Sequence, residues 1–429
     1  MLKVYDLSLE DDILPLFNYT NSGESESLLK QIINKPLGSI SEIHDRQQII
    51  QALILNWDVL EAFSYQRLDY REVKNFLDDV ASKRIVLETR QLKAFIKFTY
   101  DDSWRQQLRS RSVQVINFFH KLSSCFFSRL SIAFFPASFQ THLQVVKGFI
   151  NKLSIEQQAE LVAQQKFNLK ATVHFSQKLD KLTPEEVSAL WNSLAAVEAY
   201  ISITKGILDH QFNFPAFNNN AFNLQNFYHP LLRDPVKNSL RLASNDNVVL
   251  LTGPNMSGKS TMLRAVSLCV YLAHIGFAVP ASAAVIPYFD TISIAINTND
   301  SLQDGYSHFM AEVKNLKAVV HEINSGKSCF AIFDELFRGT NSDDALDITA
   351  TTIKGLAKYN NCYFFISTHL LGLKKTTSIQ GVKQLSIGCT LNNDLPVFTY
   401  RLQPGWSELK IGRILFEKEG IPEMLQSEV

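Results

Sequence analysis

The run Gly253-Pro254-Asn255-Met256-Ser257-Gly258-Lys259-Ser260-Thr261 fits G-x-x-x-x-G-K-[ST], a glycine-rich loop whose backbone N–H groups cradle phosphate oxygens. It follows the apolar run Val248-Val249-Leu250-Leu251 and opens a stretch of apolar residues at helical spacing, Met262 to Ile275. Strand, glycine loop and helix in that order are the context the motif requires, and they set it apart from a chance glycine turn. The glycines let N–H groups turn toward a phosphate, and the helix N-terminus adds the positive end of its dipole. In that arrangement Lys259 reaches the β- and γ-phosphates of a nucleoside triphosphate, and the Ser260 hydroxyl holds Mg²⁺.

Further along, Phe330-Ala331-Ile332-Phe333 runs straight into Asp334-Glu335. A short apolar run ending in acids reads as a buried parallel strand with carboxylates at its C-terminal end, the edge where open α/β sheets bind ligands. Asp334 is placed to join the Mg²⁺ shell and Glu335 to act as general base on an attacking water. A third run, Cys362-Tyr363-Phe364-Phe365-Ile366, leads into Ser367-Thr368-His369. His369 at that strand end is placed to sense a γ-phosphate through its ring N–H. The spacing between the three runs admits a crossover helix each time, which predicts a mostly parallel sheet flanked by helices.

The loop is narrower than the general motif. Gly-Pro-Asn-Met-x-Gly-Lys-Ser-Thr resembles the ATPase domain of the MutS family of DNA mismatch-repair proteins, and further segments follow in the family's order. Asn299 to Glu312 resembles D-D-L-x-x-G-x-S-T-F-M-x-E, and Asp334 to Asp344 resembles D-E-x-G-R-G-T-S-T-x-D-G. Ser367-Thr368-His369 resembles A-T-H, Tyr400-Arg401-Leu402 resembles Y-x-L, and Phe227-Tyr228-His229-Pro230 resembles the R-H-P that opens the domain. The resemblance implies an ATP-hydrolysing domain like those of transporter ATPases, with ATP and Mg²⁺ as ligands. It also implies a homodimer with composite sites, in which Ser307, Phe309 and Met310 cap the partner's nucleotide. Read from the residues alone, the same segment is a helix start capped by Ser307. Four positions depart from the family. Ser257 stands for a glycine, which a small side chain tolerates, and His308 for a threonine. Phe337 and Ala345 stand for glycines in the acidic loop, which they should stiffen or give different partner contacts.

The chain has 429 residues, 46% hydrophobic and 20% charged, enough for two or three ordered domains. Its formal net charge is +0, so composition lends no support to a general nucleic-acid coat, although a local patch suffices for DNA binding. Five cysteines without C-x-x-C pairing argue against zinc and for free thiols in a reducing cytoplasm. The N-terminus has no signal-peptide core, and charges and Pro136 interrupt the apolar stretch Phe118 to Phe139, so a buried helical hairpin is expected there and no membrane span.

The first half reads as helical, with apolar residues at three- and four-residue spacings and a strong helix start at Thr183-Pro184-Glu185-Glu186. Asn- and Phe-rich residues 211–226 read as a linker, giving a helical domain over 1–210 and an ATPase domain over 227–429. Asn18 to Gly23 and Ser193 to Ala199 resemble segments of the family's lever domain, so the chain is expected to begin at the lever, without a mismatch-reading domain. Arg105, Arg109 and Arg111, with Lys121 and Arg129, are the nearest thing to a phosphate-contacting patch, against the plainer reading of a solvated helix face. Two functions fit: a MutS-like ATPase that changes its grip on DNA, or a switch of the same fold acting on a protein or membrane partner. A small-molecule kinase would have no use for the Ser307–Glu312 and Arg338–Asp344 segments.

Overall fold

The apolar spacings of the first half form helices: α1 (Gly23–Ile33), α2 (Ile40–Leu55), the short α3 (Trp57–Leu60), α4 (Arg67–Ala81), α5 (Asp102–Leu122), α6 (Ala137–Leu153), α7 (Ile155–Ala163), α8 (Leu169–Leu179) and α9 (Pro184–Asp209). The computed structural model describes residues 7–87, 102–243, 245–296, 308–337, 339–370, 372–374, 379–392, 395–407 and 411–426. Leu16–Asn34 and His44–Asp209 make one unit. Its α9 starts as its sequence predicts, with a reciprocal cap. Thr183 Oγ1 accepts from the Glu186 N–H at 3.3 Å, and Glu186 Oε2 accepts from the Thr183 N–H at 3.1 Å. Phe118, Phe119, Phe126, Phe127, Phe135 and Phe139 are all buried in the core of this unit. The stretch expected to form a buried hairpin therefore packs inward, as the end of α5, a π-helical turn at Ser123–Phe127 and the start of α6. Among the described residues no helix is long and apolar enough to cross a membrane.

The second unit comprises Met1–Pro15, Lys35–Ile43 and His210–Val429. Its larger sheet contains β4 (Val248–Thr252), β6 (Thr291–Ala295), β7 (Cys329–Phe333), β8 (Tyr363–Ser367), β9 (Val382–Asn392) and β10 (Leu395–Pro404) in the order β10-β9-β4-β8-β7-β6. All neighbours run parallel except the edge pair β9–β10. β4, β7 and β8 are buried at every residue, as parallel strands covered on both faces must be. The helices of this unit are α10 (Lys259–His274), α11 (His308–Asn324), α12 (Ser342–Leu356), α13 (Ile411–Lys418) and α14 (Ile421–Gln426).

Two expectations about boundaries need correction. Residues 211–226 are not a linker: they carry β1 (Ala216–Phe217) and most of β2 (Phe222–Phe227). With β3 (Asn238–Leu242) and β5 (Ala283–Ile286) these form a second sheet, ordered β1-β5-β2-β3. Phe222 and Leu224 alternate inward between asparagines, so a real strand pattern hides in a polar composition. Nor does the first half form one block, since 35–43 clusters with the second unit, where the Leu37 N–H donates to His274 O at 2.9 Å.

His274 closes α10 and is fully buried. Its Nδ1–H donates to Val270 O at 2.7 Å, and its Nε2 accepts from the Phe289 N–H at 2.9 Å. Burial pushes the imidazole down to about 4 from an ordinary 6.5. A proton on Nε2 would face the Phe289 N–H, so the folded state binds the proton only well below the pH at which the unfolded chain does. The stability this neutral ring supports is complete above about pH 6.5 and falls with pH through about 4, by roughly 3 kcal/mol in all. Urea titrations of the wild type and His274→Asn between pH 7 and 4.5 should converge as pH falls; a pH-independent gap between them would refute this role.

Candidate active site

β4 delivers the chain into the 253–258 loop, and three residues there adopt left-handed backbone: Gly253 (φ 153°), Met256 (φ 68°) and Gly258 (φ 96°). Ser257, where the family has glycine, is not among them, so its side chain is accommodated without backbone strain. Pro254 and Ser257 are buried, whereas Asn255, Met256, Ser260 and Thr261 are exposed. Gly258 precedes the first turn of α10, whose leading N–H groups have no partner within the helix. Lys259 is 6% exposed, and its Nζ donates to Gly253 O at 2.9 Å and Pro254 O at 3.2 Å. Burial lowers its pKa, and the carboxylates of Glu335 and Asp334 oppose that shift.

The acidic pair comes from the end of β7, which lies next to β8, itself next to β4. Ser260 Oγ donates to Asp334 Oδ2 at 2.5 Å, and Lys259 Nζ stands 4.0 Å from Glu335 Oε1. Ser367, fully buried at the end of β8, donates to Asp334 Oδ1 and accepts from the Glu335 N–H at 2.8 Å. Glu335 is itself left-handed, φ 53°, an uncommon conformation for a residue with a side chain. The fold thus brings Lys259, Ser260, Asp334 and Glu335 together. His369 follows β8 on the same sheet edge with its side chain exposed. Ser307 lies outside the described residues.

Phe337 explains one departure. It too is left-handed, φ 65°, the kind of position glycine fills most readily. Here the ring is 1% exposed and lies 5.8 Å from that of Phe309, while its N–H donates to the buried Glu312 Oε2 at 2.8 Å. The aromatic therefore anchors the loop on α11. Phe337→Ala keeps the backbone cost and empties the pocket, about 3–5 kcal/mol. Phe337→Gly also relieves roughly 1–2 kcal/mol of left-handed strain and should cost less. Urea denaturation should rank wild type above Phe337→Gly above Phe337→Ala; a glycine variant as stable as wild type would show that ring packing does no more than offset the left-handed strain, well short of the roughly 3–5 kcal/mol expected of it.

The sequence missed a cavity of about 370 Å³ beside the glycine loop, lined in part by Tyr228, His229, Arg233, Asn238, Met256, Thr261 and Tyr400. Asn238 fixes its far wall: Nδ2 donates to Tyr400 O at 2.9 Å and Oδ1 accepts from the Leu402 N–H at 2.7 Å, across a bulge in β10. The Tyr400 ring then sits so close over Gly258 that an added Cβ would lie 3.3 Å from it. Burial, and secondarily Arg264, hold the His229 imidazole below its usual range. Met256 and Thr261 belong to the glycine-rich run itself, but Tyr228, His229, Asn238 and Tyr400 come from separate elements, and no spacing in the sequence links these to it.

Residues 249–428 match the family described as MutS domain V. The DNA mismatch repair protein MutS of Lactobacillus helveticus is 29% identical over 250 residues, covering 56% of this chain and 29% of that protein. The corresponding protein of Lactobacillus acidophilus is 28% identical over 267 residues, 60% of this chain and 31% of its own length. The chain therefore matches less than a third of the length of these relatives. The glycine loop, the acidic pair and the Ser367-Thr368-His369 strand end all fall within the matched region, and over that region the chain is similar to the ATPase domain of the MutS family.

Proposed function

We propose that the α/β unit binds and hydrolyses ATP with Mg²⁺, and that nucleotide binding changes the grip of the helical unit on DNA. One observation carries the reading: the first turn of α10 and the end of β7 meet at Ser260 Oγ and Asp334 Oδ2, 2.5 Å apart. Such hard oxygen donors suit Mg²⁺, which takes one or two protein oxygens and completes its shell with phosphates and water. Among the described residues no cluster of three His, Cys, Asp or Glu would hold a metal alone, in keeping with a cation shared with the nucleotide. Held by Ser260 and Asp334, Mg²⁺ would supply neutralisation of the phosphate charge.

The chain's own residues do the rest. The N–H groups of the 253–258 loop and of the first turn of α10 receive the phosphates, and Lys259 exchanges its carbonyl contacts for β- and γ-phosphate oxygens. Glu335 takes the proton of the attacking water, with Ser367 fixing its backbone and Asp334 in one network. His369 senses the γ-phosphate from the end of β8. The cavity beside Tyr400 takes the base. By likeness to the family, a second copy completes the site with Ser307, Phe309 and Met310, of which Met310 is 40% exposed.

ATP turnover should be measured with homoduplex, mismatched and branched DNA across a salt series. The proposal expects turnover to change with DNA and the effect to fade as salt rises. Turnover indifferent to every DNA at low salt would remove the DNA part, leaving the switch on a protein partner that the neutral charge also allows. A Lys259→Ala protein that still bound and turned over ATP like wild type would remove the rest.

A further inference from the structure

The helical unit contains a second concave site. α5 turns Arg105, Arg109, Ser110 and Val113 toward one cavity, and Val162 from α7 and Leu169 from α8 help line the opposite wall. Its volume is about 650 Å³, within the roughly 300–1,000 Å³ of small-ligand sites. Arg109 Nε donates to Phe167 O at 3.1 Å, which fixes the guanidinium plane at the rim. Arg105 is held by Asp102 Oδ1 at 2.7 Å. Both arginines therefore stand on one wall of the cavity, and exposed Lys166 and Lys170 flank its lining residues in the chain. Arg111, grouped with these arginines in the sequence, instead lies over the Phe76 ring at 5.6 Å.

We propose that this cavity holds one unpaired nucleotide of a nucleic-acid strand, with Arg105 and Arg109 on the phosphate and the base against Val113, Val162 and Leu169. Planar guanidinium forks match phosphate oxygens, and an apolar wall beside them suits the face of any base. A phosphate alone would leave most of the space unused, and a duplex keeps its bases stacked out of reach. The inference deepens the nucleic-acid part of the proposed function and does not depend on the ATP site.

The test uses the full chain and fluorescence anisotropy of a labelled oligothymidine and of a blunt duplex of equal length, across salt. A fluorescent ATP analogue serves as a folding control. The single strand should bind more tightly than the duplex. Arg105→Ala/Arg109→Ala should weaken it by about ten- to a hundredfold at low salt and flatten the log–log salt slope by about 0.7, the value for one phosphate on a single strand. Ser110→Tyr, which fills the mouth from an exposed position, should weaken binding about tenfold with the slope unchanged. Normal strand binding in both variants, or equal binding of the duplex, would overturn the site while leaving DNA binding elsewhere intact. No binding of either nucleic acid at low salt would remove both this site and the DNA reading.

Discussion

Glu335→Gln is expected to abolish ATP turnover while leaving ATP binding nearly intact. General-base catalysis contributes on the order of 10²–10⁴ in rate, and a neutral amide of the same shape cannot take the water's proton. Binding should change by less than about threefold, because Gly253, Gly258, Lys259 and Ser260 are untouched and phosphate cradling rests on them. Two features make the substitution clean. The backbone at 335 is held left-handed, with its N–H on Ser367 Oγ, whatever the side chain. The carboxylate is one of two facing Lys259, so Asp334 continues to oppose the burial that lowers the lysine's pKa. Phosphate release and titration with a fluorescent ATP analogue separate the two effects. Turnover within threefold of wild type would show that another group, His369 first among them, activates the water.

How much of this site was legible follows from where its parts sit in the chain. Lys259 and Ser260 open α10 directly behind the glycine loop, and Asp334 and Glu335 share one strand end, so a motif of consecutive residues captures each half. The runs behind them were visible because parallel strands buried on both faces are almost continuously apolar: Val248–Thr252, Cys329–Phe333 and Tyr363–Ser367 are buried throughout, and only Thr252 and Ser367 at their ends are polar. Ser367, Asn238 and Tyr400 were invisible as site residues. Their closeness to the loop depends on β8 lying between β4 and β7, and on the bulged β10 being clipped to β3 by Asn238, which no local pattern encodes. The smaller sheet was hidden for a different reason: asparagines flank its inward phenylalanines, and asparagine is a turn former first. Phe337 was visible only as an oddity, because its left-handed backbone and buried ring are a tertiary arrangement.

The second large effect is on the stability of the helical unit. Glu198, 2% exposed on α9, accepts from the Asn21 N–H at 2.5 Å and Asn21 Nδ2 at 3.0 Å through Oε1. Its Oε2 accepts from Ser22 Oγ at 3.1 Å and from Ser25 Oγ and the Tyr65 hydroxyl, both at 2.5 Å. Burial, then the carboxylate itself, push the tyrosine's pKa far up, so Tyr65 stays a neutral donor. A buried charge is tolerable when this many donors face it and costly to remove once they do. Glu198→Ala strands those donors without an acceptor and opens a void; a loss of about 3–5 kcal/mol is expected, the size seen when one partner of a buried ionic group is deleted. Glu198→Gln keeps the volume and one acceptor but turns an NH₂ toward donors, so it should fall between, at roughly 1.5–3 kcal/mol. Urea unfolding followed by far-ultraviolet circular dichroism gives the ranking, and an alanine variant with the wild-type midpoint would show the network to be dispensable. The two segments joined here, Asn18 to Gly23 and Ser193 to Ala199, are those that resembled the family's lever only weakly. Their shared carboxylate ties the entry loop of α1 to α9, so the two segments are coupled through Glu198 although the joined residues lie 173 to 177 positions apart in the chain.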